Sequence, residues 1–167
     1  MERRGNIMAT VLQTIVEKKH YKFIEEEVTW QEAVRLSALS LVEDGSVDED
    51  YYKQIVGCIE KFGPYVVFEH NVAMPHSTEN AAGVHKTGIG FMVSKQMIDF
   101  GVDEDGEKKE ARLLFTLAAC NPDEHLDNIQ QLTEIFMNEP LLDALMEAET
   151  PQDILDAEAA HPYVDEY

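Results

Sequence analysis

The sequence predicts an α/β sandwich, a mixed β-sheet flanked by helices on both faces. Three observations carry that prediction. Up to Gly63-Pro64, apolar residues recur with a helical period between capping signals. From Tyr65 onward they form short continuous runs suited to buried strands. After Asn121-Pro122 the helical period returns. A chain of 167 residues is long enough for one complete core, so a single domain spanning residues 1–167 is expected.

Each element has its own signal. Ile7, Met8, Val11, Leu12, Ile15 and Val16 fall on one helical face within the first 19 residues. That face is expected either to pack on the domain or to pair with a second copy of the chain, which would make a homodimer. Tyr21-Lys-Phe-Ile24 reads as a strand. Thr29-Trp-Gln-Glu32 has the form of a capping box and opens a helix with Ala33, Val34, Leu36 and Leu41 turned inward, ended by Gly45. Ser46-Val-Asp-Glu49 reads as a second capping box. Its helix carries Tyr51, Tyr52, Ile55, Val56 and Ile59 and stops at Gly63-Pro64.

Residues 65–68, 72–74, 87–93 and 111–119 are the strand candidates. Between the last two lie Ile98-Asp-Phe-Gly101 and an acidic, turn-rich stretch at 102–109, expected to be an exposed hairpin tip. Asn121 as N-cap and Pro122 in the first turn open a helix running through Leu126, Ile129, Leu132, Ile135 and Phe136. Two short helices, over 140–147 and 150–157, complete the prediction.

Composition excludes several functions. With 33 acidic residues against 13 basic ones, the net charge is −20. Such a field repels phosphate backbones and anionic membrane surfaces, so neither nucleic acid nor a lipid surface is an expected partner. Much of this charge serves solubility; the alternative is steering toward a basic patch on a protein partner. No stretch approaches the roughly 20 apolar residues of a membrane span, and no signal peptide is expected from Met1-Glu-Arg-Arg. The two cysteines, Cys58 and Cys120, form no CxxC pair and read as packing residues, consistent with a reducing cytoplasm. The glycines of Gly83-Val-His-Lys-Thr-Gly88-Ile-Gly90 fit neither nucleotide-binding fingerprint, so no nucleotide or other cofactor is expected.

Two of the six histidines stand out. In Val72-Ala-Met-Pro-His76, proline fixes its own φ and biases Met74 toward extended geometry, so His76 hangs from a stiff stem at a strand's end. His125, in Asn121-Pro-Asp-Glu-His125, lies in the first turn of a helix, where free N–H groups and the positive dipole end would bind an anion. A neutral imidazole supplies a nucleophilic nitrogen near pH 7, and a second imidazole with a helix end would hold the added charge. Together they suit phosphoryl transfer. The rival is a metal site from His70, His76 and His85 with Glu69 or Glu79. Their spacings match no zinc motif, and no metal is expected.

Val72-Ala-Met-Pro-His-Ser77, the strand after Gly83-Val84, Ile98-Asp-Phe-Gly101, the run at 113–119 and His125-Leu126 recur in an order that resembles a known family. It is the enzyme IIA component of the bacterial phosphoenolpyruvate-dependent sugar phosphotransferase system, mannitol/fructose type (type 2). Phe62-Gly-Pro-Tyr65 is similar to the ascorbate-type branch. The resemblance covers residues 20–158, leaving an extra helix in 1–19 and an acidic tail at 159–167. It implies the type-2 α/β sandwich and a phosphocarrier. The phosphoryl group would arrive from the phosphocarrier protein HPr and pass to a IIB protein, on a cysteine in this branch, for carbohydrate uptake. By the same resemblance His76 is the acceptor and His125 stabilises the phosphoryl group. Two places depart from the family pattern. His70-Asn71 stands where Pro-Gly is common. Ser77-Thr78 stands where a small residue and a nearby arginine are common, and both hydroxyls are candidate phosphoryl-binding donors. A regulatory IIA-like protein, whose phosphorylation state is itself the signal, is the alternative reading.

Overall fold

Two apolar clusters lie on opposite faces of one five-stranded sheet. The computed structural model describes residues 9–77 and 82–162. Ile7, Met8, Thr78, Glu79 and the last five residues of the expected acidic tail lie outside the described residues. The elements run α1 (Val11–Lys18), β1 (Tyr21–Ile24), α2 (Trp30–Glu43), α3 (Tyr51–Phe62), β2 (Val67–Phe68), β3 (Val72–Ala73), β4 (Gly88–Val102), β5 (Lys108–Ala118), α4 (Pro122–Phe136), α5 (Glu139–Met146) and α6 (Pro151–Ala160). The strand order is β1-β4-β5-β3-β2. β1 and β4 are parallel, as are β3 and β5, while the β4–β5 and β2–β3 pairs are antiparallel. The sheet is therefore mixed, as the sequence predicts.

The period-2 alternation of strand side chains divides the core. Phe91, Val93, Leu113, Phe115 and Leu117 face α1, α4, α5 and α6. Met92, Leu114 and Ala118 face α2 and α3. Burial on both faces explains why β4 and β5 read as continuous apolar runs. Gly90 lets α2 approach β4 closely, since a Cβ there would stand 2.3 Å from the Ser37 carbonyl oxygen. Across that contact the Ser37 hydroxyl meets the Thr116 hydroxyl.

α1 packs on the domain: Val11, Leu12 and Ile15 are buried in the first cluster. Its N-terminus is a capping box of Thr10 and Gln13. The Thr29 box forms only by half. Thr29 caps the Glu32 amide, but the Glu32 carboxylate turns to Arg35, at 2.9 and 2.6 Å. The Ser46 box does not form. α3 starts after Asp50 without a side-chain cap, and buried Ser46 gives its carbonyl to the amides of His85 and Lys86. That places Val47 in an isolated bridge to Val84.

β4 is longer than predicted. It continues through Ile98 and Phe100 after a register shift between Val93 and Ile98. Ser94, whose hydroxyl bonds the Gln96 main chain, sits in that bulge. The polar Ser94-Lys-Gln96 hid the continuity by interrupting the apolar run. The first strand of the sheet's other edge is shorter than predicted, beginning at Val67 rather than Tyr65.

Candidate active site

His76 stands just beyond β3. The sheet fixes its stem from both sides: the Met74 amide donates to the Val66 carbonyl at 2.8 Å, and the Leu117 amide to the Pro75 carbonyl at 2.9 Å. The β2–β3 turn before it holds His70 at φ 67° and Asn71 at φ 60°. Asn71 is at ease there, where few residues are. The Asn71 amide also donates to the Glu110 carbonyl.

The His76 ring is partly buried, and its Nδ1 lies 2.7 Å from the Met74 carbonyl oxygen. A carbonyl only accepts, so Nδ1 carries the proton and Nε2 keeps its lone pair. Burial lowers the ring's pKa below the ordinary histidine value. The Met74 carbonyl opposes that shift, and the neighbouring His125 adds to it. The neutral, nucleophilic form is thus favoured.

His125 comes to this ring from α4, with ring centroids 5.8 Å apart and planes at 49°. The sequence predicted both groups but not their meeting. Asn121 caps α4 through the Glu124 amide at 2.9 Å, with Pro122 in the first turn. The expected amide cradle is diminished. Pro122 has no N–H, the Glu124 amide is held by the Asn121 side chain, and the His125 amide bonds the Asn121 carbonyl. The Asp123 and Glu124 carboxylates also occupy this first turn. The His125 imidazole is the side chain that α4 brings to His76 to meet an anion.

Three further residues shape the site and were not singled out for it from the sequence. The Tyr65 hydroxyl donates to the His76 carbonyl at 2.5 Å, and its ring stands edge-on to the imidazole, centroids 5.2 Å apart. Buried Cys58 has its Sγ 3.7 Å from Ser77 Oγ. Thr87 accepts from the Cys120 amide at 3.0 Å and bonds the Glu124 carboxylate, tying the start of α4 to β4. The only forewarning was Phe62-Gly-Pro-Tyr65 as a branch feature, because a contact between a helix end and a strand end leaves no local pattern. Thr78 lies outside the described residues. Cys120 is exposed beside α4.

Of the rival histidine set, His70 bonds Asp143 at 2.7 Å and His85 bonds Asp48 at 2.7 Å, while His76 bonds the Met74 carbonyl. Among the described residues, no group of three or more His, Cys, Asp or Glu side chains is placed to hold a metal ion. No helix among them is long and apolar enough to cross a membrane.

Residues 14–157 match the family model described as phosphoenolpyruvate-dependent sugar phosphotransferase system, EIIA 2. The chain is similar to the ascorbate-specific PTS system EIIA component of Escherichia coli (strain K12). The two are 33% identical over 144 residues, covering 86% of this chain and 91% of that protein. It also resembles the mannitol-specific cryptic phosphotransferase enzyme IIA CmtB from Escherichia coli, with a TM-score of 0.75 at 27% identity, covering 90% of this chain and 99% of that one. A third likeness is to the mannitol enzyme IIA of Escherichia coli in complex with phosphorylated enzyme IIB. There the TM-score is 0.69 at 27% identity, covering 85% of this chain and 96% of that one. The chain belongs to the EIIA 2 family of the phosphoenolpyruvate-dependent sugar phosphotransferase system.

Proposed function

We propose that this chain is a cytoplasmic phosphocarrier that accepts a phosphoryl group on His76 from phospho-HPr and passes it to a IIB protein for carbohydrate uptake. The observation that carries this is the His76 ring, with Nδ1 engaged by the Met74 carbonyl and a second imidazole 5.8 Å away between ring centroids. His76 Nε2 attacks the phosphorus of the donor phosphohistidine. The donor's P–N bond breaks and its ring leaves with the electron pair. The His76 ring gains positive charge as its new P–N bond forms, and the Met74 carbonyl stabilises that charge through Nδ1–H. An N–H of His125 donates to the phosphoryl oxygens. Transfer to IIB repeats the step with His76 as leaving group. The hydroxyls of Ser77 and Thr78 are the further donors where an arginine is absent.

A protein partner has to reach this ring, and exposed apolar side chains flank it. Leu126 follows His125 and is 55% exposed; Phe62, also 55% exposed, packs edge-on against Tyr65. Such residues suit a docking rim. The mannitol enzyme IIA neighbour, seen with phosphorylated IIB, supports a IIB protein as the receiving partner.

The test is to incubate the chain with phosphoenolpyruvate, enzyme I and HPr. An acid-labile, base-stable phosphoryl group is expected, and His76→Ala should abolish it. Persistence of the same label in His76→Ala would overturn the assignment.

A further inference from the structure

We propose that Tyr65 is a positioning residue for His76, holding both its main chain and its ring so that the imidazole keeps its place against His125. This rests on His76 being the phosphoryl acceptor. The bonds that the sheet makes to the stem stop short of the His76 carbonyl, which has a different partner. On this stretch the sheet holds the Pro75 carbonyl through the Leu117 amide. Pro75 has no N–H to offer. His76 lies past that bond, and its carbonyl is taken instead by the Tyr65 hydroxyl at 2.5 Å.

The same tyrosine ring stands at 88° to the imidazole, with centroids 5.2 Å apart. Nδ1 is fixed to Met74 and the tyrosine lies along one side, so the ring is held twice, while the His76 main chain is held at its carbonyl. Two restraints on the side chain and one on its main chain favour a single rotamer. Tyr65 is itself well seated. It follows Gly63, at φ 87°, and Pro64; its amide bonds the Gly63 carbonyl at 2.7 Å, and Phe62 packs edge-on against it. Burial, with Cys58 alongside, pushes its hydroxyl far up from the ordinary tyrosine pKa. It therefore remains a donor across the working pH range.

Tyr65→Phe keeps the ring and removes the hydroxyl. Phosphoryl acceptance from phospho-HPr should slow by about tenfold, since small misplacements of a reacting group are costly. A ring let out of its place gains contact with water, so in the full chain NMR titration of the His76 ring nitrogens should show its pKa moving up toward the ordinary histidine value as the burial that lowers it is partly lost. General destabilisation would leave that titration unmoved. Tyr65→Leu, which removes the ring as well, should exaggerate both effects. A folded Tyr65→Phe protein with wild-type rate and wild-type His76 titration would overturn the proposal. If the wild-type chain takes no label, the phosphocarrier reading fails, while the titration still decides whether Tyr65 holds His76. If Tyr65→Phe melts near the assay temperature, the bond is read in the wild type. A slowly exchanging Tyr65 hydroxyl proton is expected, and a fast-exchanging one counts against it.

Discussion

His20 and His76 are both shielded from water, yet they are held by opposite means. His20, 3% exposed, bonds the Asp44 carboxylate at 2.6 Å; His70 and His85 likewise end on Asp143 and Asp48. His76 ends on a main-chain carbonyl and faces another imidazole. A carboxylate sets a full negative charge against the ring it holds, whereas a carbonyl fixes the tautomer without adding a charge to the site. In a chain with 33 acidic residues, a carboxylate is the easier neighbour to find. Its replacement by a carbonyl at His76 leaves a neutral ring with a free lone pair, which is what a nucleophile requires.

The sharpest way to break that contrast is to give His76 a carboxylate. His125→Glu should raise the His76 pKa, repel the incoming phosphoryl group and slow acceptance by at least about a hundredfold, the scale of removing a transition-state donor. His125→Ala should slow it less, with the fold intact. Acceptance rates measured across pH would check both. In the wild type, the acid limb should fall below the ordinary histidine pKa of about 6.5, because burial and His125 lower the His76 value. In His125→Glu that limb should move up.

The two corners also differ in how far they could be read from sequence. The stem of His76 was legible because its determinants are local: proline, the preceding extended residues and a two-strand turn. The caps of α4 and the layered core were legible for the same reason. His125 was recognised as a helix-start residue, but its approach to His76 depends on β5 carrying the chain across the sheet, which no spacing encodes. The Ser46 box failed because the Ser46 amide, which the Glu49 carboxylate would have to reach, is held instead by the Leu41 carbonyl and the Asp44 carboxylate. Tyr65 was misread as strand because its apolar body fits one, while its hydroxyl partner lies 11 residues away.

Removing the carboxylate from His20 should damage stability rather than transfer. Burial works against the Asp44 charge, but hydrogen bonds from Ser46 and His20 win and hold its pKa at about 2. A depressed carboxylate stabilises the fold above its unfolded pKa, near 4, and loses that contribution as pH falls from about 4 to about 2. Asp44→Asn should therefore cost about 1 kcal/mol at neutral pH, a figure discounted for the partial exposure of the group. It should also flatten the loss of stability on the acid side. Thermal unfolding at pH 7 and pH 3 checks both, and phosphoryl acceptance should match wild type.

The smallest effect is expected at His70, and its size shows what distance alone fails to convey. The His70–Asp143 bond is 2.7 Å and the His20–Asp44 bond 2.6 Å, nearly the same length. The Asp143 side chain is 68% exposed, and water offers both partners a substitute. His70→Gln should lower stability by about 0.5 kcal/mol or less, measured by denaturant unfolding. The His76 stem is carried by main-chain bonds to Val66 and Leu117, not by the turn's side chain, so acceptance should be unchanged. A His70→Gln protein with slowed acceptance would mean that the turn, and not only the sheet, sets the position of His76.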